Sequence, residues 1–145
     1  MYVGVGVFCF INFMCTLLGL FQEEQLLAEK QSSLLNKAYF TLLKPLPRAL
    51  YLLELHGYTI DEETTEMNPE FLMEVLELNE RIGEGSSDDV HEIEEEIQLK
   101  IEQNIKGLAL AFAAKDYAAA KETAVRLRYY INVESKVKMF FRDRM

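Results

Sequence analysis

Few residues in this chain are of a type and spacing that could do bond-making chemistry. His91 and Glu95 are four positions apart, which brings two side chains to one face of a helix and is a spacing that can hold a metal ion. One imidazole and one carboxylate among Glu92, Glu94 and Glu96 read better as part of a solvated acidic face. His56 stands directly before Gly57 and reads as a helix-end residue rather than a base. The only cysteines, Cys9 and Cys15, have no His or further Cys beside them. They support neither a zinc site nor a disulfide framework, and fit a reducing compartment. Neither a glycine-rich phosphate loop nor a nucleophile motif occurs. The expectation is a protein that is not an enzyme and has no catalytic residue, metal or cofactor.

The chemistry that remains is recognition. The run Asn68-Pro-Glu-Phe-Leu-Met-Glu-Val-Leu-Glu-Leu-Asn-Glu-Arg-Ile82 predicts an amphipathic helix, with Asn68 as its cap and Pro69 in the first turn, where no N–H is needed. At about 100° per residue, Phe71, Val75, Leu78 and Ile82 form one apolar stripe. Leu72, Met73 and Leu76 fall on the far side, edged by Glu77 and Glu80. A second apolar face bordered by carboxylates is either a partner surface or the contact with a second neighbour inside a small bundle.

These residues need a scaffold, and composition limits its kind. The chain has 145 residues, half of them hydrophobic, and a net charge of −9. That charge disfavours nucleic acid, which needs a basic stripe, and suits a partner bearing Lys or Arg. Strand-like alternation is missing after the N-terminus, so the expected class is all-α. Glu23 to Leu43 reads as a helix with Leu26, Leu27, Leu34, Leu35, Ala38 and Leu42 at helical spacing, ended by Lys44-Pro-Leu-Pro47. Arg48 to His56 reads as a short helix with Leu50, Leu53 and Tyr51 inward, stopped by Gly57. Residues 58–67 form an acidic linker, and Gly83 to Asp89 a flexible turn in which Ser86 or Ser87 caps the next helix.

That next helix, about Val90 to Ala114, carries Val90, Ile93, Ile97, Ile101, Ile105, Leu108 and Phe112 as its stripe. Asp116 recaps the chain for a last helix with Ala120, Ala124, Leu127, Ile131, Val137 and Phe141 inward and Tyr129 off the stripe. Short turns make residues 68–145 an antiparallel three-helix bundle. Residues 1–22 carry no charged side chain. They make a poor secretory signal and a poor mitochondrial presequence. Residues 2–21 are about long enough to span a bilayer.

Three stretches, Arg48-Ala-Leu-Tyr-Leu-Leu-Glu-Leu-His-Gly57, Phe71-Leu-Met-Glu-Val-Leu-Glu-Leu-Asn-Glu80 and Val125-Arg-Leu-Arg-Tyr129, together resemble the HscB family. These are J-type co-chaperones of iron–sulfur cluster assembly, and the likeness is to the animal mitochondrial type. It runs from about Gln25 to the C-terminus. It implies a J domain that stimulates a DnaK/mortalin-type ATPase, and a C-terminal three-helix bundle that holds the cluster scaffold protein of the IscU/ISCU type. By motif it carries scaffold binding onto Leu72, Met73, Leu76, Glu77, Glu80 and Tyr129, with Glu84 a weaker correspondence between two glycines.

The chain also departs from that family. A J domain acts through His-Pro-Asp, whereas His56 and His91 are followed by Gly and Glu. Residues 23–57 then correspond to a J-domain remnant, its third helix and the segment after it. Residues 1–22 read as an alternative or mis-assigned start, in place of the first J helices and the cysteine-rich zinc element. Leu34, Leu35 and Leu42 lose their usual partners, and the apolar N-terminus is available to cover them. The expectation is an adaptor that binds scaffold with ATPase stimulation lost. Its implied compartment is mitochondrial, or cytoplasmic for want of a presequence. Two other readings stand beside it: a small protein anchored in a membrane by residues 2–21 with no chaperone role, and self-association through the second apolar face.

Overall fold

The computed structural model describes residues 22–59 and 67–144. The readings made for the uncharged N-terminus, and for most of the acidic linker, lie outside them. Among the described residues there are five helices and no strand: α1 Gln22–Leu43, α2 Pro45–Leu55, α3 Pro69–Glu84, α4 Ser87–Ala113 and α5 Tyr117–Arg142. The fold is all-α, as composition and periodicity imply. The chain divides into two compact units between Pro47 and Arg48.

In the first unit, α1 forms over the expected span. Leu26, Leu27, Leu34, Leu35 and Leu42, spaced as though to be buried, are all exposed, as are Tyr39 and Phe40. The second helix starts earlier than expected, at Pro45 rather than Arg48. Pro45 and Pro47 both fall in its first turn, where a proline's missing N–H costs no helix bond. Its buried residues are Ala49 and Leu53, while Tyr51 is exposed, contrary to the inward position read from spacing.

That helix ends where expected. Gly57 adopts φ 80°. Its N–H donates to the Glu54 carbonyl at 3.0 Å, and the Tyr58 N–H to the Leu53 carbonyl at 2.9 Å. This paired pattern closes a helix through a left-handed residue, which glycine adopts without steric cost.

The second unit is built round the antiparallel bundle of α3, α4 and α5. The Asn68 side chain accepts from the Glu70 N–H at 2.9 Å, capping α3. The turn into α4 is shorter than read: Gly83 and Glu84 are still helical, and α4 begins at Ser87. Gly85 is required there, because a Cβ would lie 2.5 Å from the Arg81 carbonyl oxygen. Ser86 and Asp89 form a reciprocal capping box, the Ser86 N–H donating to the Asp89 carboxylate at 2.8 Å and the Asp89 N–H to Ser86 Oγ at 3.3 Å. The Ser86 hydroxyl and N–H hold the Asp89 carboxyl below its usual range.

Phe71, Val75, Leu78 and Ile82 of α3 meet Val90, Ile93 and Ile97 of α4 and Tyr130, Val133 and Val137 of α5 in one buried cluster. Tyr130 and Val133 were not among the residues read as inward, whereas Ile131 and Phe141, which were, are only half-buried. Ile101, Ile105 and Phe112 on the α4 stripe are half-buried too. Leu108, Ala120, Ala124 and Leu127 are buried farther along the same pair of helices. His56, at the end of α2, stacks on Tyr117 at 4.2 Å, and its Nδ1 lies 2.8 Å from the Leu52 carbonyl oxygen.

Candidate functional site

The cap and four buried side chains fix which way α3 faces, and its opposite side is left to solvent. Leu72 is 41 % exposed, Leu76 58 % and Met73 70 %. Full burial of such a side chain is worth roughly 1.5–3 kcal/mol, and each of these forgoes a part of that. The second apolar face is therefore not spent on a neighbouring helix within the bundle. Met73 and Leu76 line an open groove of about 450 Å³ together with Glu70, Glu74, Glu77 and Glu80. Leu72 lies beside it on the helix. Glu77 and Glu80 are exposed, and neither makes a side-chain hydrogen bond or ion pair with another described residue.

Tyr129 comes from α5 and stands apart from that groove. It is half-buried against the core cluster, its ring edge-on to Phe71 at 5.6 Å. Tyr130 approaches the same Phe71 at 5.5 Å, and the Arg126 guanidinium lies 5.4 Å from the Phe71 ring centre, a cation–π distance. Phe71 is thus the buried link between the solvent-facing residues of α3 and the aromatic of α5. Glu84 lies at the end of α3 and is exposed.

Polar ties hold both edges of α3. On one edge Lys136 Nζ donates to Asn79 Oδ1 at 2.8 Å. On the other, Lys100 Nζ pairs with the Glu74 carboxylate and lies 3.0 Å from Glu96. The Tyr130 hydroxyl donates to the same Glu74 oxygen at 3.1 Å. Burial alone would lower the Lys100 ammonium, but its hydrogen bonds to Glu74 and Glu96 outweigh that and hold it above the usual lysine value. Burial would likewise raise the Glu96 carboxyl, yet its contacts with Lys100 and Arg81 bring it below the usual range. Burial and the Glu74 charge together push the Tyr130 hydroxyl up.

Glu70, Glu74, Lys100 and Tyr130 were not singled out from sequence. Glu70 precedes Glu77 by seven residues, two helical turns, which is a usable signal. Lys100 is 26 positions from Glu74, and no local pattern announces such a pairing. His91 pairs with Glu94 at 3.5 Å and stacks on Phe141 at 4.5 Å, rather than joining Glu95. Among the described residues no three potential ligands gather for a metal ion, and no helix is long and apolar enough to cross a membrane.

Residues 67–138 match the family model described as the HSCB C-terminal oligomerisation domain. The human iron–sulfur cluster co-chaperone protein HscB is 42 % identical over 120 residues, 81 % of this chain and 51 % of that protein. Its crystal structure superposes with a TM-score of 0.81 at 40 % identity, over 89 % of this chain and 65 % of that one. The Jac1 co-chaperone of Saccharomyces cerevisiae superposes at 0.70 with 33 % identity, over 79 % of this chain and 77 % of that one. The mitochondrial J-type co-chaperone jac1 of Schizosaccharomyces pombe is 32 % identical over 115 residues, 77 % of this chain and 51 % of that protein. The chain thus spans about half the length of the curated relatives it matches.

Proposed function

The chain belongs to the HscB family, and from that premise we propose that it is a co-chaperone of iron–sulfur cluster assembly, binding an IscU-type scaffold protein through the outer face of α3 and delivering it to a DnaK/mortalin-type chaperone. Leu72, Met73 and Leu76 desolvate against apolar scaffold residues. Glu77 and Glu80 meet cationic ones, setting orientation and association rate. Tyr129 backs the face through Phe71. The observation that carries this reading is the exposure of all three apolar side chains on a helix whose other face is fully buried. The proposed compartment is mitochondrial, in keeping with the S. pombe relative.

The test is calorimetric titration of an IscU-type scaffold into the chain and into Leu76→Ala. The substitution is expected to cost about 1–2 kcal/mol of affinity, as interface anchors do, with helicity intact. Equal affinity for the two would refute the assignment. Because neither His56 nor His91 is followed by Pro-Asp, this 145-residue polypeptide is expected to bind scaffold without stimulating the chaperone ATPase. A steady-state ATPase assay measures that directly, and full stimulation would contradict it.

A further inference from the structure

The docking groove is lined by four carboxylates, but they differ in what they are tied to. Glu70, Glu77 and Glu80 are exposed and have no ion-pair partner among the described residues. Glu74 lies between them in sequence and lines the same groove, yet it takes the Lys100 ammonium from α4 and the Tyr130 hydroxyl from α5. Lys100 is half-buried and held by a second acid, Glu96, one helical turn back on α4 at 3.0 Å. It is therefore anchored in its own helix as well as to Glu74. A half-buried charge with two acidic partners is screened much less by salt than a free surface charge.

We infer that Lys100 is a specificity-determining residue of this interface: by pairing Glu74 it withholds that carboxylate from the docking groove, so that a partner meets Glu70, Glu77 and Glu80 alone. The inference rests on the docking reading given above. Without Lys100 the groove would present a fourth free acid, favouring partners with more cationic side chains and making association more dependent on ionic strength. The Tyr130 hydroxyl is neutral and would leave the freed charge on Glu74 in place.

The experiment measures the affinity of the full chain for an IscU-type scaffold at low and at high ionic strength. Between those conditions Lys100→Met is expected to lose about two- to fivefold more affinity than the unaltered chain, the scale of one exposed ion pair. Adding Glu74→Gln to Lys100→Met restores the original salt dependence, whereas adding Glu96→Gln does not. Lys100→Arg behaves as the unaltered chain, and Lys100→Gln gives the same readout should the methionine variant fail to fold. A general effect of net charge would be reversed by either glutamine, and a role confined to packing would lower the melting temperature without changing the salt dependence. Either result overturns the inference while leaving the docking reading intact. Failure of the unaltered chain to bind scaffold overturns both.

Discussion

Among the described residues two with positive φ close helices, and one of the two is not a glycine. Gly57 ends α2, and Lys115, at φ 57°, ends α4. The hydrogen bonds are of the same type in both: the Lys115 N–H donates to the Phe112 carbonyl at 3.0 Å and the Asp116 N–H to that of Ala111 at 2.9 Å. A lysine Cβ in this conformation costs roughly 1–2 kcal/mol, which a glycine avoids while adding freedom to the unfolded chain. Lys115→Gly is therefore expected to stabilise the bundle by about 0.5–1 kcal/mol in chemical denaturation. Gly57 was legible as a stop because its residue type announces the conformation. Lys115 was not, and Asp116 alone marked that turn, by its cap on the Ala119 N–H at 3.0 Å. The candidate site follows the same logic. Leu72, Met73, Leu76, Glu77 and Glu80 share one helix, so a 3.6-residue period sorts them. Lys100 and Tyr130 reach Glu74 only through packing, which periodicity does not describe.

At the scale of elements, α3 is held by its apolar stripe and by polar ties to both neighbours. The tie to α4 titrates. The folded Glu96 carboxyl lies below its usual range, so its contribution to stability is fully present above the unfolded value and is lost as pH falls through the folded one. The denaturation midpoint is expected to decline below about pH 4, where ordinary carboxylates protonate. It should decline less steeply in Glu96→Gln, and a set of urea titrations across that range measures the difference. The bundle helices were legible because each carries a continuous stripe and a capping residue. The inward face of α5 was read less well, since burial there spreads over more than one side: Val125, Tyr130 and Val133 are buried as well as Ala120, Ala124 and Leu127. The exposure of the α1 leucines was not legible from periodicity, because a helical period says which residues share a face and not whether anything covers it; only the family resemblance signalled that Leu34, Leu35 and Leu42 lose their partners.

At the scale of the molecule, the buried cluster lies wholly within α3, α4 and α5, and residues 48–145 form a compact unit of their own. A fragment beginning at Arg48 is expected to keep these helices, melt in a single cooperative transition by circular dichroism, and, on the proposed function, match the whole chain in its affinity for an IscU-type scaffold. Loss of cooperativity in the fragment would show that α1 contributes to the bundle's stability. The turn at Ala114–Asp116 has a further consequence. It joins α4 and α5, the two longest of the described helices, and closing so short a loop costs little entropy. Helical topologies of this sort complete folding in about microseconds to milliseconds. The surface that α3 offers is in place before any encounter, because its cap and buried stripe are already formed within the bundle, so association need not carry the cost of ordering that helix.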